Sequence, residues 1–174
     1  MPFTPLHMGP GLLIKALMQG SFSLMVFGWA QIIMDIQPLV VLITNEGQLH
    51  GFTHTFIGAT LIGIFSAVTG KHLSEFGLKV LRIATTDHPV IITWPITVIS
   101  AFIGSYSHVI LDAIMYHDVE IWFPWSDDKP LLGMMTFEQM HLFCLLSAAI
   151  GAVVYFSIQA FIYKKPVRRF NQMR

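Results

Sequence analysis

Residues 90–115 read VIITWPITVISAFIGSYSHVILDAIM, and this apolar stretch is long enough to cross a lipid bilayer as one α-helix. Three further stretches have the same character, at roughly residues 22–44, 52–70 and 140–163. Only 11% of the 174 residues are charged, whereas a soluble domain carries about 25%. We therefore predict an all-α fold, an integral membrane helical bundle of about four transmembrane helices, with residues 1–174 forming a single domain.

A shorter apolar stretch at residues 8–20 lacks the length to span a bilayer by itself. Glycine and proline at positions 9–11 open it, and glycine and serine at 20–21 close it, which are signals for helix starts and breaks. We predict a short N-terminal re-entrant helix that dips into the membrane and returns through the next segment. Pro38 should kink or break the first long helix near Asp35, because proline cannot continue the backbone hydrogen bonding.

The basic residues indicate the orientation of the chain. Eight of the ten lysines and arginines lie either between the second and third apolar stretches or after the fourth. The positive-inside rule places both segments in the cytoplasm. We therefore expect a multi-pass protein of the inner (cytoplasmic) membrane with a cytoplasmic C-terminal tail, and with residues 45–51 and 117–139 on the outer side. The net charge of zero gives no basic surface for a nucleic acid.

Histidines and aspartates interrupt these apolar segments, although an ionisable group at membrane depth costs roughly 3 to more than 10 kcal/mol. Two close pairs have i, i+4 spacing, His50 with His54 and His108 with Asp112, so each pair would project from one face of a helix. In the expected topology all the polar groups converge near the outer face. The predicted metal ligands are His7, Asp35, His50, His54, His108 and Asp112.

Imidazole and carboxylate are ligands of Zn²⁺, Mn²⁺ and Fe²⁺, so this set predicts one or two divalent ions, Zn²⁺ being the first candidate. Six ligands exceed the three of a single catalytic zinc site, which favours two ions. Gly51 occupies the position at which a His-Glu-x-x-His protease needs its glutamate, so that class is excluded. The single cysteine, Cys144, excludes a cysteine-rich zinc site and an internal disulfide.

Each motif also has a structural interpretation. His50 and His54 would be interfacial side chains, His108 and Asp112 a pair that stabilises helix packing, and Asp35 the partner of Lys15 in a salt bridge. The remaining histidines are interpreted as surface residues, with a role in substrate binding open for the two on the outer side. They are His72 and His88 on the cytoplasmic side, and His117 and His141 on the outer side.

Five motifs in order along the chain resemble the membrane-bound metal-dependent hydrolase family of bacterial and archaeal inner membranes. They are Thr4-Pro5-Leu6-His7, Met34-Asp35-Ile36-Gln37-Pro38, His50-Gly51-Phe52-Thr53-His54-Thr55, Ser107-His108-Val109-Ile110-Leu111-Asp112 and Trp122-Phe123-Pro124-Trp125-Ser126. The resemblance implies an all-helical zinc-type fold related to helical phospholipase C enzymes, and hence cleavage of phosphoesters.

The sequence therefore predicts a membrane-embedded metal-dependent hydrolase acting on a phosphoester or ester bond of a lipid or lipid-linked substrate. Glu46 or Asp118 would serve as the general base. Two alternatives stay open at this stage. The same ligands would suit a divalent metal-ion transporter or sensor, and the chain would also suit a non-catalytic membrane subunit of a larger assembly.

Overall fold

The structure is a computed structural model that describes residues 4–82 and 90–162. These ranges contain helices and turns and no strand, which confirms the predicted all-α bundle. The α-helices are α1 (Thr4–Met18), α2 (Leu24–Met34), α3 (Ile36–Thr44), α4 (Phe56–Val80), α5 (Trp94–Met115) and α6 (Phe137–Phe161). Four segments are long and apolar enough to cross a membrane: α2 with α3 as one unit, α4, α5 and α6. The chain is thus a multi-pass membrane protein in contact with the lipid bilayer.

The first membrane span is broken at Asp35, which separates α2 from α3. Pro38 has no N–H to offer the carbonyl of Met34 four residues earlier, and its ring would clash with that carbonyl. The α-helical bonding therefore stops at Met34 and resumes after Asp35. The predicted break is confirmed, and it turns the Asp35 side chain toward the interior of the bundle, against His108.

Helix α1 begins at Thr4 and continues through Pro10, so the interpretation of residues 9–11 as a helix start was wrong. A proline is tolerated inside a membrane helix when neighbouring helices satisfy the freed backbone groups. The glycines beside it serve helix packing instead, because a Cβ on Gly9 would overlap the backbone carbonyl of Cys144 on α6. The expected reversal is confirmed, since a short 3-10 turn at Gln19–Ser21 leads back into α2.

Helix α6 is the main packing partner of α1. Two close approaches hold them together, Gly9 against Cys144 and Gly151 against the backbone of Leu13. At the far end Gln159 donates a hydrogen bond of 3.2 Å to Gln19. Helix α1 therefore runs along α6 for its whole length, about 22 Å for 15 residues.

Helix α4 begins at Phe56, later than the predicted stretch at 52–70, and it continues to Val80. Its start is set by Thr55, whose extended backbone and hydroxyl cap the helix by accepting from the Gly58 N–H at 2.9 Å. The residues just before it form a 3-10 turn, Phe52–His54. His50 and His54 therefore do not lie on one face of an α-helix, and that part of the prediction was wrong.

Helix α5 packs against both α2 and α4, and it is the most enclosed of the candidate spans. Its buried face includes His108 and Asp112, so the predicted α-helical spacing of this pair is confirmed. The predicted cytoplasmic tail (Lys164, Lys165, Arg168, Arg169 and Arg174) and His88 lie outside the described residues.

Candidate metal centre

The structure brings all six predicted ligand residues together at one end of the bundle. They come from four places in the chain: α1, the α2–α3 break, the turn before α4, and α5. Three overlapping groups place their ligand atoms within 4.8 Å of one another. The groups are His7 with His108 and Asp112, Asp35 with His54 and His108, and His50 with His54 and Asp112.

Asp112 lies at the centre of the cluster. Its Oδ2 is 3.2 Å from His108 Nε2 and 3.3 Å from His54 Nε2, while its Oδ1 is 3.7 Å from His7 Nε2. His108 Nε2 also lies 3.3 Å from Asp35 Oδ1. One imidazole nitrogen thus faces two carboxylates, and one carboxylate faces three imidazoles.

These separations are longer than the hydrogen bonds that an imidazolium makes with a carboxylate, which measure about 2.7–2.9 Å. Ligand atoms held about 2.0–2.1 Å from a tetrahedral zinc ion would stand about 3.3–3.4 Å apart. The observed separations of 3.2–3.7 Å are close to this value, so these atoms could be ligands of a shared ion.

Several of the predicted ligand atoms form no hydrogen bond with the described part of the chain. Asp112 Oδ1 and the Nε2 atoms of His7, His54 and His108 are buried and have no hydrogen-bond partner among the described residues. A buried polar atom without a partner is costly, and such atoms are rare in folded proteins. Several of them facing a common point fit a divalent cation better than a helix-packing pair of His108 and Asp112.

The orientation of His108 is fixed from outside the cluster by Gln31. The Gln31 amide nitrogen donates to the carbonyl of Gly104 at 3.1 Å, so its oxygen must accept from His108 Nδ1 at 2.6 Å. Nδ1 therefore carries a proton, and Nε2 is the nitrogen that faces the cluster. This is the usual way in which a protein prepares a histidine for a metal.

His54 is prepared in the same way by Thr53 and Gln37. The Thr53 hydroxyl lies 2.5 Å from Gln37 Oε1, which only accepts, so the hydroxyl donates to it. The same hydroxyl then accepts from His54 Nδ1 at 3.0 Å, which leaves Nε2 as the free nitrogen. Thr53 thus supports this histidine, while the neighbouring Thr55 caps α4.

His50 lies at the outer edge of the cluster, between Asp118 and Tyr116. Its Nδ1 is 2.9 and 3.0 Å from the two oxygens of Asp118, and its ring stacks on the Tyr116 ring at 4.4 Å. Partial burial acts to raise the pKa of Asp118, but the hydrogen bond from His50 outweighs it and keeps that pKa below its usual value. Burial, followed by the nearby carboxylates, raises the pKa of Tyr116, so its hydroxyl stays protonated.

The cluster is closed toward the bundle and open at one edge. The His108 and His54 side chains are fully buried, whereas the carboxylates of Asp35 and Asp118 are 30% and 34% exposed. Lys15 does not form the salt bridge with Asp35 that was the alternative to a metal-binding role for Asp35. Lys15 instead donates to backbone carbonyls at the end of α1 and in the following turn, at 2.6 and 2.7 Å.

The two predicted proton acceptors lie in different surroundings. Asp118 contacts a ligand histidine, whereas Glu46 is exposed and bonds only through its backbone N–H, to Thr44, within the described chain. The other described histidines contact residues outside the cluster. His72 meets Trp94, His117 accepts through its carbonyl from Lys129, and His141 bonds to the Phe137 carbonyl.

An apolar groove of about 390 Å³ lies beside the cluster, between the α2–α3 break and α4. Its polar members are Gln37 and Thr53, the two residues that orient His54. Its apolar lining is Ile33, Ile36, Leu61, Ile62 and Phe65. The groove and the cluster therefore share one wall.

Gln31 and Tyr116 belong to none of the sequence motifs, and Gln37 belongs to the Asp35 motif without a predicted role. A glutamine in an apolar membrane span, as at position 31, is a signal that could have identified the residue that supports His108. No protein-family model matches this chain, and no characterised protein or solved structure matches it. The functional assignment therefore depends on the geometry of the cluster.

Proposed function

We propose that this protein is a membrane-embedded metal-dependent hydrolase that cleaves a phosphoester or ester bond of a lipid or lipid-linked substrate. The observation that carries the proposal is the Asp112 carboxylate, whose oxygens lie 3.2–3.7 Å from the buried, unpartnered Nε2 atoms of His7, His54 and His108. Two of these histidines donate from Nδ1 to a partner outside the cluster, which leaves Nε2 as the nitrogen that would bind a metal.

The six residues fit one or two divalent ions, with Zn²⁺ as the first candidate. The chemistry that such an ion supplies is polarisation of a phosphoryl or carbonyl oxygen and a lowered pKa for water. The chain supplies the rest. His54, His108 and Asp112 each belong to two of the three ligand groups, so they hold the centre of the site. Asp118 at the exposed edge is the proposed proton acceptor, because it contacts His50, whereas Glu46 is not in contact with the cluster.

A lipid substrate is supported by the surroundings of the cluster. The groove lies on two helices that span the membrane, and it is lined almost entirely by apolar side chains. An acyl chain in this groove would end beside Thr53, one residue from the ligand His54. A substrate held in this way needs only a short displacement of its headgroup to reach the exposed edge of the cluster.

The proposed location is the inner membrane, with the cluster on the outer side. The support is the basic residues Lys71, Lys79 and Arg82, which lie in and after the second half of α4, while the cluster adjoins the start of that helix. The positive-inside rule places the basic end in the cytoplasm.

The proposal is tested with purified protein, by metal analysis and by hydrolysis of phosphatidic acid in vesicles and of p-nitrophenyl phosphate. We expect wild type to hold divalent metal and to hydrolyse at least one substrate. Asp112→Asn and His54→Ala should lose both properties, because removing one ligand of a shared ion disrupts a unit that acts together. His141→Gln is the matched control, because His141 lies outside the cluster.

The same preparation separates the alternatives. Metal flux into liposomes by wild type, abolished in both variants and accompanied by no hydrolysis, would show a transporter. Wild type that binds no Zn²⁺, Mn²⁺ or Fe²⁺ would refute the metal site itself.

A further inference from the structure

We propose that the Tyr116 hydroxyl is an oxyanion-binding group, which donates a hydrogen bond to a phosphoryl oxygen of the ligand held at the metal cluster. The inference rests on the proposed function, and it narrows the substrate class to phosphoesters. It also gives the site a hydrogen-bond donor that belongs to none of the sequence motifs and is not one of the six predicted metal ligands.

The position of Tyr116 is set by the end of α5. Its backbone N–H still bonds to the carbonyl of Asp112 at 2.8 Å, while its own backbone is already extended and ends the helix. The side chain is therefore tied to the turn that carries the central ligand. Its ring stacks on His50 with a centroid distance of 4.4 Å and an interplanar angle of 27°. Both neighbours are ligand residues, so the phenol stands beside the cluster.

The hydroxyl itself is buried and has no hydrogen-bond partner among the described residues. Buried tyrosine hydroxyls normally find one. Tyr106, on the same helix, shows the ordinary case, since its hydroxyl lies 2.7 Å from the Thr60 hydroxyl. The donor on Tyr116 is thus available for an acceptor from outside the protein.

The Tyr116 hydroxyl lies near carboxylates without bonding to them. Asp112, Asp118 and Asp35 are the charged groups that act on it. Yet neither oxygen of Asp112 bonds to it, and Asp112 Oδ1 is itself without a partner. The phenol is therefore near the ligand carboxylates without being the group that holds them in place.

A phosphoester suits this arrangement better than a carboxylic ester. A phosphoryl group presents several oxygens, so it can contact the metal cluster and the phenol at the same time. An ester carbonyl presents only one. A neutral donor at this position also adds no charge to a cluster that already contains carboxylates, and its value rises in a site that excludes water.

The experiment compares Tyr116→Phe with wild type, and with Tyr106→Phe as the matched control. Each protein is loaded with Zn²⁺, and three affinities are measured: for Zn²⁺ by chelator competition, for inorganic phosphate, and for vesicles of phosphatidic acid in phosphatidylcholine. We expect Tyr116→Phe to weaken phosphate-group binding about 10- to 100-fold, as for a lost hydrogen bond to a charged acceptor. Its Zn²⁺ affinity should be unchanged, because the ring that stacks on His50 is kept. Tyr106→Phe should match wild type in all three.

The two phosphate probes distinguish the sources of the ligand. Weaker binding of both shows that the bare phosphate group is recognised, and weaker binding of the vesicles alone assigns the subsite to a lipid headgroup. Either result supports the proposal. A parallel fall in Zn²⁺ affinity would make Tyr116 a support of the ligands and overturn it, as would unchanged affinities or a wild type that binds neither probe. No turnover is needed, so a protein that binds phosphate through Tyr116 and hydrolyses nothing would keep the subsite and refute only the hydrolase.

Discussion

Two pairs of residues with the same four-residue spacing reach the cluster in different ways. They are His108 with Asp112 and His50 with His54. The first pair lies one turn apart on the regular helix α5, with 3.2 Å between Nε2 and Oδ2. The second pair lies at a 3-10 turn before α4, where the two rings meet edge to face at 4.9 Å. Equal spacing thus predicts that two side chains are neighbours, while the surrounding chain decides how they are aimed.

The two pairs also differ in how they are held. The helical pair is fully enclosed and is oriented by Gln31 from the neighbouring helix α2. The turn is held by Gln37 through Thr53 on one side and by Asp118 on the other, and both supports are partly exposed. We infer that the helical pair provides the rigid half of the site, and that the turn provides the half that faces lipid and solvent.

The largest effect on Zn²⁺ affinity should come from removing a histidine of either pair, and His108 should matter more than His50. His108→Ala should lower Zn²⁺ affinity by more than ~100-fold, because His108 faces both carboxylates. Loss of a residue that only supports a metal ligand lowers the affinity by ~100-fold at most. His50→Ala should have a smaller effect, because His50 belongs to only one of the three ligand groups. Chelator competition measures both, with His72→Ala as the control. Equal losses in the two variants would remove the distinction between a rigid and an open half.

A smaller effect is expected from the residues that orient the ligands. Gln31→Met should lower Zn²⁺ affinity about 10- to 100-fold, and Thr53→Val about 10-fold or less. The reason for the difference is that water can replace the Thr53 hydroxyl beside the groove, but cannot reach the fully buried Gln31. Thr60→Val, which removes a hydroxyl bonded outside the cluster, is the control. A larger loss for Thr53→Val than for Gln31→Met would contradict this explanation.

The smallest effect concerns the groove on the open side. Leu61→Trp should raise KM for long-chain phosphatidic acid by about fourfold, the effect of displacing one methylene of the acyl chain. It should leave KM for a six-carbon analogue unchanged. Ile64→Trp is the matched control, because Ile64 is similarly exposed on the same helix but does not line the groove. Equal changes for both tryptophans, or for both substrates, would show that the groove does not hold the acyl chain.

The membrane spans and the break between α2 and α3 could be predicted because each depends on local chemistry. An apolar run of sufficient length is a helix in lipid, and Pro38 removes the bond to Met34 whatever surrounds it. The convergence of the six ligand residues followed from topology, since the basic segments fix which helix ends lie on the same side.

The start of α1 and the geometry of the His50–His54 turn could not be predicted in this way. Pro10 is accommodated because α6 packs closely along α1, and that contact joins residues far apart in the sequence. The turn depends on where Thr55 caps α4 and on a hydrogen bond from the Phe56 N–H to the carbonyl of Ile121. Such long-range contacts decide the conformation, and no short motif encodes them.

Helix α6 carries none of the predicted metal ligands, yet the cluster cannot be fully assembled before α6 has packed against α1. It is the main support of α1, which carries His7, through Gly9 against Cys144 and Gly151 against Leu13. During synthesis α6 is the last of the described helices to leave the ribosome, whereas α1 is the first. His7, the first predicted ligand to be synthesised, therefore depends on the last of the described helices. If the cluster binds metal as proposed, full loading would report that the whole described bundle has been inserted and assembled.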